Sequence, residues 1–233
     1  MKETDDISQR GSASIAGIGL LIMTFLAIYS GFFVFQKLII QDDPAATVNN
    51  ILSNRMLFRL GIIGYVIVII CDIIVAWALY VFLKQINKSL SLLAGWFRLV
   101  YAIIFGIALS NYLNTLNLIS GADYLKILEP AQLHADVMIT LKAFDNGWNT
   151  GFIFFGLHLI MLGCLIFKSD YIPKYLGFLL IIAGLSYFLE SVEKILYPEV
   201  KLSISLITGW GELIFMFWLL WNSVKGFDKS AAA

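Results

Sequence analysis

Charge is scarce in this sequence: 14 % of its 233 residues are Asp, Glu, Lys or Arg, where a soluble domain carries about 25 %. With 60 % hydrophobic residues and a mean hydropathy of +0.84, that shortage excludes an ordinary water-exposed surface and implies a polytopic membrane protein. The 16 basic and 16 acidic residues cancel, and no basic run or basic-aromatic patch occurs, so nucleic acid is not an expected partner. The two cysteines form no CxxC or zinc spacing. Cys71 stands thirteen residues from Lys84 and Cys164 four from Lys168, which at helical rise puts them at depths about 13 Å apart and beyond disulfide reach. HExxH, Walker A, GxSxG and dinucleotide fingerprints are all missing, and no metal or other cofactor is expected.

What the chain does have is long apolar runs. Residues 12–40, 60–83, 90–111, 148–167, 175–189 and 202–221 are each expected to span a bilayer as a helix. The expected fold is therefore all-α, a single transmembrane domain of six helices in a compact bundle. Gln41 to Asn54, with Asp42-Asp43-Pro44 and paired asparagines, is expected to be a polar loop. From Leu116 to Asn146 the chain is too polar to span, yet Leu133, Val137, Leu141 and Phe144 recur at helical spacing after Pro130. This suggests an amphipathic helix on the membrane surface between the third and fourth spans. The turn from Lys168 to Lys174 offers Ser169 and Asp170 as caps and Pro173 near the next helix start. A charged loop with Glu193, Lys194, Pro198, Glu199 and Lys201 leads into the last span.

Six spans place both termini on one side. The short second and fourth loops carry Lys84, Lys88, Lys168 and Lys174 against one acid, Asp170, so positive-inside reasoning puts both ends in the cytoplasm. Arg55 and Arg59, near the opposite surface, narrow that margin.

Against this apolar background, single charges inside the spans are costly and call for a reason. Asp72 lies twelve residues before Lys84 and Arg98 ten after Lys88, roughly 18 and 15 Å deep at helical rise, close to the midplane of a core about 30 Å thick. On adjacent antiparallel helices they can pair. His158 stands ten residues before Lys168, and Glu212 ten before Asn222, which brings both to the same layer. Asp72, Arg98, His158 and Glu212 are thus the candidate ligand-binding or proton-relay residues. Only one of the two carboxylates can be fully compensated by Arg98, and Glu212 is the candidate proton carrier. Tyr101 follows Arg98 on its helix, Gly151 shares a stripe with His158, Ser205 and Thr208 share one with Glu212, and Glu190 lies on the fifth span. These five are expected to line a cavity open to the outside. A simpler reading accompanies each group: an Asp72–Arg98 clamp that only fixes packing, and a His158 that is hydrogen-bonded rather than a ligand.

At these residues the sequence resembles a bacterial integral-membrane family of unknown function, of the DUF4386 type. The matching stretches are Trp96-Phe97-Arg98-Leu99-Val100, Phe155-Gly156-Leu157-His158-Leu159, the run from Lys168-Ser169-Asp170 to Ala183-Gly184-Leu185-Ser186-Tyr187, and Gly211-Glu212 with Trp218-Leu219-Leu220. The resemblance implies a compact bundle in a bacterial cytoplasmic membrane and brings no activity, cofactor or site with it. The leading functional expectation is a small-ligand binding or transport protein whose midplane layer is reached from outside and relays protons, the partners being the lipid bilayer and a small apolar or amphipathic ligand. The alternatives are an intramembrane enzyme acting on a lipid or isoprenoid with His158 and Glu212 as acid and base, and a structural or regulatory subunit.

Overall fold

A computed structural model describes residues 7–197 and 204–227, and among these the chain is helical with no strand. The elements are α1 (Gln9–Leu38), α2 (Pro44–Ser53), α3 (Arg55–Leu83), α4 (Lys88–Leu118), α5 (Pro130–Phe167), α6 (Lys174–Leu196), α7 (Ser205–Thr208) and α8 (Trp210–Lys225). Five of them, α1, α3, α4, α5 and α6, are long and apolar enough to cross a membrane. Of the expected sixth span, Leu202 and Ser203 lie outside the described residues, as do Pro198, Glu199 and Lys201 of the loop before it. Its remainder is divided at Gly209 into α7 and the 16-residue α8, each shorter than the roughly 20 residues a span needs.

Two expectations are corrected. The polar loop after α1 contains α2, started by Asp43, whose Oδ1 accepts from Ala46 N at 2.8 Å, and by Pro44 in the first turn. Thr47 Oγ1 ties this helix back to Ile40, accepting from its N–H and donating to its carbonyl, both at 2.9 Å. The separate surface helix does not exist as such: Pro130–Phe167 is one α-helix of 38 residues, about 57 Å long at helical rise and well beyond the hydrocarbon thickness. No proline follows Pro130 within it, and the glycine where a break was expected is put to use. A Cβ on Gly147 would come within 2.9 Å of the Ala108 Cβ on α4, so the bare backbone permits close packing there.

The chain packs as two compact units. Of the described residues, one gathers those up to Ile22, Cys71–Ala102 and those from Thr150 onward; the other gathers Met23–Ile70 and Ile103–Asn149. The second has an aromatic interior: Tyr112 stacks on Phe144 with centroids 4.0 Å apart, Phe105 on Trp148 at 5.1 Å, and Phe35 meets Tyr112 at 4.4 Å. Residues Tyr29–Phe35 of α1, which supply Phe35, are wound as a π-helix, a local widening that redirects side chains.

In the first unit, glycines set the spacing of α5 and α6. A Cβ on Gly156 would lie 2.5 Å from Gly184 O, and one on Gly163 would lie 2.6 Å from Gly177 O; the reverse approaches are 2.6 and 3.0 Å. Two glycines seven residues apart on each helix therefore face each other across an antiparallel contact, bringing backbone against backbone. In the turn between these helices Pro173 takes the cap position of α6 without a side-chain bond, so neither Ser169 nor Asp170 caps that helix as expected. Ser169 Oγ accepts from the amides of Tyr171 and Ile172 at 3.2 Å, and Lys174 Nζ donates to Phe167 O at 2.9 Å and to Ser169 O. A cation there satisfies carbonyls left open at the end of α5. At the start of α4, Asn87 Oδ1 caps Leu90 N at 2.9 Å and Ser91 Oγ donates to Tyr80 O of α3 at 3.1 Å.

Candidate functional site

The α3–α4 hairpin brings Asp72 opposite Arg98, as equal depth on adjacent helices requires. Arg98 Nη2 stands 2.8 Å from Asp72 Oδ1, and the two side chains are 2 % and 0 % exposed. A pair so fully removed from water depends on close geometry and on further hydrogen bonds; among the described residues Asp72 Oδ2 has none, so these come to Arg98. One such bond comes from α5: Arg98 Nη1 lies 3.2 Å from His158 Nε2. The other ring nitrogen, Nδ1, lies 2.8 Å from the Ala94 carbonyl, one turn before Arg98 on α4. A carbonyl oxygen only accepts, so Nδ1 carries the proton and Nε2 is the lone pair that receives Arg98. Both nitrogens of His158 are thereby used, and the ring locks α5 to α4. Phe155, one turn before His158, covers the guanidinium, with Arg98 Cζ 5.5 Å from its ring centre.

Glu212 enters from the first turn of α8, where a negative side chain suits the amide dipoles. It is intermediate in exposure, shares a hydrogen bond with Tyr187 of α6, and feels the charges of both Arg98 and Asp72. The four residues expected in one layer therefore meet within one unit of the chain, Arg98 in direct contact with Asp72 and His158 and Glu212 within electrostatic range. Tyr187 is the participant the sequence did not single out. It binds Glu212 and interacts electrostatically with Tyr101 and Glu190, and its hydroxyl would lie 3.2 Å from a Cβ on Gly209.

The five residues expected to line a cavity are placed differently from one another. Tyr101 is 6 % exposed and packs against Phe152 and Phe155 at 5.7 and 4.9 Å, while Phe152 in turn stacks on Tyr187 at 5.1 Å and 8°. Four rings thus fill the space beside the ion pair, and Gly151 is buried on α5 in the turn before Phe155. Glu190 holds the start of α7, its two oxygens accepting from Ser205 N and Ser205 Oγ at 2.6 Å each. Thr208 Oγ1 donates to Ile204 O at 3.3 Å within its own turn. Among the described residues no group of three His, Cys, Asp or Glu side chains is placed to hold a metal ion.

Comparison with known proteins agrees with the resemblance seen in the sequence. An uncharacterized protein of the archaeon Archaeoglobus fulgidus is 35 % identical over 166 residues, 71 % of this chain and 83 % of the relative. That relative is archaeal, where the resemblance pointed to a bacterial family. No solved structure matches the chain. The family described as a domain of unknown function, DUF4386, matches residues 15–222, which take in every member of the buried cluster, and the chain belongs to that family.

Proposed function

We propose that this protein is a six-span membrane transport or binding protein in which Glu212 exchanges a proton beside a fixed Asp72–Arg98–His158 cluster. The observation that carries the reading is a charge count. Two carboxylates, Asp72 and Glu212, lie within range of one guanidinium, whose Nη1 and Nη2 are already engaged by His158 and Asp72. With Asp72 ionised, an ionised Glu212 would leave the cluster with excess negative charge in a medium that tolerates little, so Glu212 holds a proton it can give up. The Tyr187 hydroxyl, which donates a hydrogen bond to Glu212 and also feels the charge of Glu190, supports the reading as the exchangeable group beside Glu212.

The sixth crossing in this reading is α7 and α8 taken together, joined through Gly209, whose backbone stays in the right-handed helical region (φ −60°, ψ −17°), with Glu212 in the turn that follows. Both termini are then on the cytoplasmic side, and the loop holding His134 faces outward. An acid–base role for His158 gains no support, because both its nitrogens have partners.

The test is made on the full chain reconstituted in liposomes containing a pH-sensitive dye, with a pH gradient imposed across the bilayer. The wild type is expected to dissipate the gradient faster than Glu212→Gln, with both proteins equally folded. Equal rates would remove the proton-exchange reading and leave a structural ion cluster.

A further inference from the structure

At the ends of α3, α4 and α5 in the second unit lies a pocket of about 390 Å³, the size of a small-molecule site. Its wall is apolar, with Leu52, Leu118 and Leu133 among the lining side chains; Arg55, Lys126 and His134 are its charged or titratable members, and no acid lines it. In a chain whose lysines and arginines equal its acids in number, two cations, Arg55 and Lys126, stand at one apolar recess whose wall holds no acid, with the polar ring of His134 beside them. Arg55 is held at the mouth by one bond, Nη2 donating to Ile119 O at 2.9 Å, and a guanidinium has five N–H donors. Among the described residues no carboxylate pairs with it. Lys126 does pair, with Asp123 at 2.6 Å, but the two side chains are 72 % and 93 % exposed, and such a pair is too weakly held to keep the ammonium from a second anion.

The position of the pocket identifies its occupant. It sits where the apolar runs of α3 and α4 give way to polar chain, beside the exposed side chains of Tyr124 and Ile127, which is the composition of a headgroup level. We infer that this pocket holds one anionic phospholipid of the surrounding bilayer, its phosphate among Arg55, Lys126 and His134 and the start of an acyl chain against Leu52, Leu118 and Leu133. On the outer face, where the proposed topology puts the pocket, Arg55 and Lys126 attract a negative headgroup over a short, salt-screened range and so favour anionic over zwitterionic lipid.

The test is native mass spectrometry of the full chain released from detergent and titrated with phosphatidylglycerol or phosphatidylcholine. Phosphatidylglycerol is expected to bind at a concentration lower by on the order of tenfold. Arg55→Gln with Lys126→Gln should abolish that preference. Because Arg55 also braces the chain at Ile119, Lys126→Gln alone is read as well; its exposed side chain carries no packing, and it should lose part of the preference with stability unchanged. Ala122→Trp, which fills the pocket without changing charge, should lower phosphatidylglycerol occupancy. Equal binding of the two lipids by the wild type, or a preference that survives these variants, overturns the inference. Displacement of the lipid by inorganic phosphate overturns it too, since the pocket would then be a plain anion site.

Discussion

Arg98 is the residue on which the buried cluster depends, because its guanidinium joins α3 to α4 through Asp72 and α4 to α5 through His158. Removing one partner leaves the other charge buried without compensation, which costs about 3 to 5 kcal/mol in a dry site. Asp72→Asn and Arg98→Gln are each expected to destabilise the purified protein more than the two substitutions together; additive losses in that cycle, read from thermal or denaturant unfolding, would contradict the pairing. The meeting of these residues was legible because helical rise is constant, so residue counts from the lysines that flank neighbouring apolar runs become positions along adjacent helices. His158 was placed by the same count, but its role was not readable. Its Nδ1 partner is the Ala94 carbonyl, a backbone atom that carries no trace in the sequence. Tyr187 was missed for a related reason: a tyrosine among apolar neighbours reads as packing until a carboxylate from another helix is seen at its hydroxyl.

At the scale of elements, the α5–α6 contact is set by absent side chains. Gly184→Val is expected to destabilise the protein by about 1 to 3 kcal/mol or more, since overpacking into fixed backbone forces the helices apart, and its Cβ would lie 2.6 Å from Gly156 O. Gly106→Ala is the contrasting case, with its nearest neighbour 3.9 Å away; it is expected to be neutral or to raise stability by roughly 0.5 to 1 kcal/mol through helix propensity. Melting temperatures of the two variants check the pair, and equal losses would refute the role given to the glycines. The sequence showed the glycines but not their pairing, because a spacing of seven on each helix gains meaning only once the helices are known to be neighbours. Apolar length located five long helices well. Their ends were harder to place, since α3, α4 and α6 continue through polar residues that still make helical hydrogen bonds at an interface. Pro130–Phe167 runs unbroken through a change of polarity, because polarity sets what a helix faces whereas proline or a cap ends it.

For the whole molecule, the account requires six crossings with both ends in the cytoplasm. Cysteine placed at Asn49, in a background lacking Cys71 and Cys164, should react with an impermeant maleimide in intact cells, while cysteine at Lys88 should not; the reverse pattern would invert the orientation. An oriented protein is what allows an exchangeable proton to matter, since a group titrating at mid-depth can be loaded from one side and unloaded to the other. Everything functional proposed for the cluster rests on Glu212 being that group. Infrared difference spectra of the wild type against Glu212→Gln, recorded from about pH 5 to about pH 9, test it most directly. The account predicts a carboxylic acid band, absent from the variant, that gives way to carboxylate within this window. A carboxylate signal constant throughout, with no acid band, would show Glu212 permanently ionised and paired, and would contradict the account.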